Sequence, residues 1–172
     1  MMEPADVQAT FTNITKHKLF QDWKKIHSDS FLSHFFCPLD NACQAKGPWE
    51  IGFYDKGKNK ITIFVAADNS PEIKQEDDIF KKEEEIVEEL PLKEVAVPFT
   101  KAAEILRLKS KPELSHQQLG DGFIVLQQIS GKTLWNFTFI TKTLQFANSK
   151  VNASSGELES QQLINVVESS GK

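Results

Sequence analysis

Cys37 and Cys43, with His27 and His34 before them, are the residues best equipped for chemistry. Cys37 and Cys43 flank Pro38-Leu-Asp-Asn-Ala, and His34 stands just before them. A structural zinc takes four ligands, ordinarily with Cys-x2-4-Cys spacing. His34-x2-Cys37-x5-Cys43 offers three at wider spacing, so no metal site is read here. A thiol nucleophile needs its pKa lowered, by a helix N-terminus or a positive neighbour. Cys37 is followed by Pro38 and by no helix start. A disulfide between Cys37 and Cys43 would close a short loop and is sterically allowed. Two free thiols are the alternative, favoured in a reducing compartment. His27 and His34 lie seven apart, which on a helix puts them on one face as ordinary boundary residues. No Gly-x-Ser-x-Gly elbow, His-Glu-x-x-His pair, phosphate loop or dinucleotide fingerprint occurs. The sequence therefore names no catalytic residue, no metal and no cofactor.

Two further groups suit recognition. Gln128, Asn136 and Thr138 are expected on the sheet face opposite the aromatic core, where amides and hydroxyls supply directional hydrogen bonds to a partner. The stretch Glu76–Glu89 holds eight acidic residues and two lysines. Within it and just beyond, Ile79, Phe80, Ile86, Val87 and Leu90 recur at helical spacing. It reads as an amphipathic helix or extended linker with a solvated acidic face, or as a docking element through Ile79 and Phe80. Sequons at Asn13, Asn136 and Asn152 are read as accidental, since Asn136 falls in mid-strand.

The elements that would position these residues are clearest from Pro98 onward. Phe99, Ala102, Ala103 and Leu106 have the spacing of one helical face, and Pro98 and Thr100 suit a helix start. Phe123–Ile129 is extended, and Ser130-Gly131 is a two-residue hairpin turn. Beyond it Trp135, Phe137, Phe139 and Thr141 alternate with Leu134, Asn136, Thr138 and Ile140. The aromatic set is the core face, because its burial removes far more area from water. A third strand from Leu144 to Val151 ends in a turn in which Gly156 takes positive φ. In the N-terminal half, residues 1–10 are expected to fray. Ile14, Phe20, Trp23, Ile26 and Phe31 fit a helix from about Thr12 to Phe36. Pro38–Pro48 is a loop, and Trp49–Tyr54 and Ile61–Val65 form a hairpin about Asp55–Asn59.

The segment Thr100-Lys-Ala-Ala-Glu-Ile-Leu, two strands, and Val151-Asn-Ala-Ser-Ser-Gly-Glu-Leu together resemble the PepSY domain family of peptidase propeptide and YpeB-like modules. Asn152 stands where that family usually has Asp, and Ser155 where it has Thr. The resemblance spans about residues 98–160. It implies a cystatin-like α+β fold and a noncatalytic role, such as regulating a peptidase or binding another protein.

The 172 residues include thirteen Phe and three Trp against one Tyr, with a net charge of −4. A chain of this length can bury roughly 70% of its unfolded surface. The negative charge excludes a general nucleic-acid binder, which carries a basic stripe. No apolar run of about 18 residues is present to span a membrane. With no basic-then-apolar start, the expectation is a cytoplasmic chain, or an extracytoplasmic one whose leader was removed. The expected organisation is a flexible stretch 1–10, a helix-plus-hairpin unit 11–70, an acidic connection 71–97 and a PepSY-like unit 98–172. A lone hairpin on one helix is marginal, so the two units are expected to share one antiparallel sheet packed by helices. The functional expectation is a noncatalytic module for a protein partner. Alternatives are a small-molecule site or enzyme in an apolar cavity between sheet and helices, and a homodimer through an exposed strand edge.

Overall fold

A computed structural model describes residues 2–68, 70–78 and 86–165. Helices α1 (Val7–Lys16) and α2 (Lys18–Ile26) precede strands β1 (Ser30–Leu39), β2 (Glu50–Asp55), β3 (Lys60–Val65) and β4 (Glu72–Asp78). Helices α3 (Phe99–Lys109) and α4 (Pro112–Ser115) precede β5 (Leu119–Ile129), β6 (Lys132–Thr141), β7 (Gln145–Asn152) and β8 (Leu158–Asn165). All eight strands form one antiparallel sheet in the order β4-β3-β2-β1-β5-β6-β7-β8. Each half is a pair of helices followed by a four-stranded meander. The halves meet through β1 and β5, from His34 opposite Gln127 to Leu39 opposite Gly122. The order of elements reads the same outward from that seam, so the halves are related in topology by a twofold axis through it.

The alternating ring face of β6 is buried against α3. Trp135 and Phe137 are fully buried, and Phe99 packs edge-on to Trp135 at 5.8 Å between centroids. Trp135 Nε1 donates to the Val97 carbonyl at 2.8 Å, which satisfies the indole's donor. Under α2 a second cluster gathers Phe20, Trp23, Phe53 and Phe64 at centroid distances of 4.9–5.8 Å. Trp49 and Trp135 approach to 6.3 Å across the seam, so one core serves both halves. Ser130 and Gly131 both have positive φ (49° and 79°), the geometry a two-residue hairpin prefers. The Glu88 carboxylate accepts from both of their amides, at 2.6 and 3.0 Å.

Several expectations are corrected. The expected helix Thr12–Phe36 is two helices and most of a strand. His17 ends α1 and caps α2, its Nδ1 accepting from the Leu19 amide at 3.2 Å. The strand β1 then bulges between Leu32 and His34, which puts buried Leu32 and Phe35 three apart and imitates helical spacing. Residues before Val7 lead straight into α1, where Val7 and Thr10 are buried and Asp6 caps the Ala9 amide at 2.8 Å. The expected loop starts only after Leu39, since Pro38 pairs with Phe123 within β1 and Leu39 ends the strand opposite Gly122. Residues 76–78 of the acidic stretch belong to strand β4, not to a helix. No helix among the described residues is long and apolar enough to cross a membrane.

Candidate functional site

A cavity of about 250 Å³ lies where α3 and α4 meet the sheet beside β6 and β7. Its floor is apolar: Phe139 and Ala147 from the sheet, Ala103 and Leu106 from α3, and Leu114 from α4. The reason it is hollow lies in the side chains and not in the topology. In the N-terminal half the corresponding strand, β3, turns Phe64 towards its helices, and Phe20 and Trp23 close over it. In the C-terminal half β7 turns Ala147 and Ser149 that way, opposite Phe139 and Phe137. Ala103 stands above them on α3. Small residues on both sides leave the gap.

The polar part of the wall is held in place by bonds within the chain. Gln161 Nε2 on β8 donates to both Ser110 Oγ and Ser149 Oγ, at 2.9 and 3.0 Å, and so joins the end of α3 to β7. The far wall is the turn Asn41–Cys43, fixed by Asp40 Oδ1, which accepts from the Ala42 and Gln44 amides at 2.9 Å each. Cys43 adopts a left-handed φ of 60° there. Burial pushes the Cys43 thiol up to about 11, while the nearby Arg107 guanidinium opposes that shift. Arg107 is the one charged side chain among the described residues lining this cavity, and none of them is acidic. It is exposed and makes no ion pair with any described residue.

The structure separates most of the residues singled out in the sequence. Cys37 and Cys43 are both free thiols. Cys37 lies beside Gly47, its Sγ 3.4 Å from that residue's carbonyl, and not in the cavity that Cys43 lines. Burial holds its thiol at about 11 as well, so neither cysteine is a thiolate at neutral pH. His27 and His34 share no helix. His27 caps α2 and is buried with Asp55, Nδ1 to Oδ2 at 2.9 Å. The nearby Ser30 Oγ donates to the His27 carbonyl at 2.6 Å and not to its ring, so this is a structural tie between α2 and β2. Among the described residues no group of three or more His, Cys, Asp and Glu could hold a metal.

Asn136 and Thr138 do share the open face, where Asn148 Nδ2 donates to both, at 2.7 and 3.0 Å. Lys150 Nζ in turn donates to Asn148 Oδ1 at 2.9 Å. Gln128 is on the other face. It pairs across the hairpin with Thr133, whose hydroxyl donates to Gln128 Oε1 at 2.6 Å. Ile79 and Phe80 lie outside the described residues. The sequence reading missed Arg107, Ala147 and Ser149; the available signal was the small-residue alternation Ala147-Asn-Ser149 in a strand otherwise expected to bury bulk.

No family model matches the sequence, and no curated protein matches it. Among solved structures, a candidate lipoprotein from Clostridium difficile 630 aligns with a TM-score of 0.50 at 12% identity, over 84% of this chain and 90% of that one. The likeness is one of fold. At 84% of this chain it extends over both halves.

Proposed function

We propose that this protein is a noncatalytic binding module, PepSY-like in type, that seats one compact apolar group in the cavity beneath α3 and α4. The observation that carries the reading is the hollow itself. In one half of a twofold scaffold four rings close over β3 beneath α2, and the corresponding place in the other half leaves about 250 Å³ open beside Phe139. Ligand sites are ordinarily apolar concavities with a few fixed polar groups, and Ser149, Ser110 and Arg107 supply those here. A dry cavity of about 150 Å³ accepts benzene, so this one suits about ten non-hydrogen atoms. Both thiols are protonated and buried His27 is tied to Asp55, which supports binding over catalysis. Regulation of a peptidase or capture of a protein partner fits the same module, the seated group then being a side chain of that partner.

Indole provides the test, titrated to millimolar concentration while backbone amide resonances are followed. Shifts should concentrate at residues 103–107, 139 and 147–149, and Ala147→Leu should abolish them while leaving the unfolding transition cooperative. Absence of a localised response, or an unchanged response in Ala147→Leu, would refute the proposal.

A further inference from the structure

We infer that the ligand seated in this cavity carries a carboxylate, which Arg107 reads at the mouth; this rests on the binding-module reading above. The geometry divides the site into two parts. Ala103, Leu106, Phe139 and Ala147 make an apolar floor that offers a charged group nothing. The Ser110 and Ser149 hydroxyls at the wall are already joined to Gln161 and, for Ser110, to the Leu106 carbonyl at 2.6 Å. Among the described lining residues that leaves a single guanidinium as the only charge, with no acidic side chain to neutralise it. Asp40, whose charge reaches Cys43, turns Oδ1 into its own loop amides.

An arginine in the last turn of α3 also complements the helix dipole, and Lys109 occupies the same turn. The dipole therefore needs a cation near this position, but not one on the cavity lining. Arg107 lines the cavity and Lys109 does not. A guanidinium binds a carboxylate through two parallel N–H donors, and a body of about ten non-hydrogen atoms fills the floor. The chemistry is an apolar monocarboxylate. Its source is either a free acid or the C-terminal residue of a peptide with a large apolar side chain.

Calorimetric titration of the full chain distinguishes these. Octanoate and octan-1-ol share one apolar body and differ in charge, and acetyl-Gly-Gly-Phe is compared with its C-terminal amide. At least one acid should bind about tenfold or more tightly than its neutral counterpart. Arg107→Gln should erase that preference, and Lys109→Gln, which removes an equal charge from the same helix turn, should leave it intact. Preference for octanoate identifies a free acid, and preference for the peptide acid identifies a chain terminus; either supports the inference. Equal affinity for acid and neutral partner in both pairs overturns it while the cavity reading stands. Equal loss of preference in both variants also overturns it, by reducing Arg107 to a bulk charge. Should indole fail as well, the binding-module reading falls with it.

Discussion

Acidification from pH 7.5 to pH 5 should cost this protein about 2 kcal/mol of stability through one side chain, His34. Its ring lies on the open face of β1, directly across Gly52 of β2, so close that a β-carbon at that position would strike the imidazole. Ser33 Oγ stands 2.8 Å from Nδ1. Burial pulls the imidazole down to about 4, and the charge of Glu50 offsets only part of that. The unfolded chain titrates near the ordinary value of about 6.5. Between those limits the unfolded state binds a proton that the folded state refuses, so stability falls as pH drops through the window. At about 1.4 kcal/mol per pH unit the ceiling is about 3 kcal/mol, and about 2 kcal/mol is lost by pH 5. That is a large share of a typical 5–15 kcal/mol domain.

The carboxylates do not confuse the measurement. Asp55 and Glu159 are held below their usual range by hydrogen bonds from His27 and from Lys132 and Asn152. Their stabilisation is present above the ordinary carboxylate pKa of about 4 and is lost only below it. Urea unfolding of the native protein and of His34→Gln, each at both pH values, isolates the histidine. The native protein should lose about 2 kcal/mol more than the variant. Equal losses would refute the reasoning, as would a His34 ring proton titrating near 6.5 by NMR.

Two other perturbations follow from the core. Trp135→Ala removes a fully buried indole that touches Trp49 and Phe99 and orphans the Val97 carbonyl; chemical denaturation should show a loss of about 4 kcal/mol, with Trp135→Phe costing less. Asp55→Asn weakens the buried tie to His27 and the Asp55 Oδ1 contact with the Lys58 amide. Unfolding at neutral pH should register a loss of about 2 kcal/mol that shrinks below pH 4, where protonation removes the same charge from the native protein.

The parts of the fold legible in the sequence are those where one period runs unbroken. Trp135, Phe137 and Phe139 alternate without interruption, and the structure buries all three. Phe99, Ala102 and Ala103 keep helical spacing and face the core as α3. The strand β1 was hidden because its bulge shifts the period by one residue, so Leu32 and Phe35 imitate a helix. Strands β4 and β8 were hidden because they are the sheet's edges. Edges carry polar and charged residues that discourage further pairing, and Glu72-Ile-Lys-Gln-Glu-Asp-Asp and Leu158-Glu-Ser-Gln-Gln-Leu-Ile-Asn show no apolar stripe. The face of Gln128 was recoverable: a two-residue turn at Ser130-Gly131 already pairs it with Thr133, which shares the parity of Trp135.

The candidate site was not recoverable in that way, because it is defined by missing bulk. Ala147 and Ala103 are far apart in sequence, and each alone is unremarked in a strand or helix that needs small neighbours. Only the register that sets Ala147 beside Phe139, under an α3 whose Ala103 faces the same space, turns two small residues into a cavity. The N-terminal half argues that the gap is not forced by the backbone. There the same order of two helices and four strands carries Phe64, Phe20 and Trp23 in mutual contact. Filling such a gap is a common route to added stability. Under the proposed reading, the gap beside Phe139, with a guanidinium at its opening that no described residue pairs, is where the ligand enters.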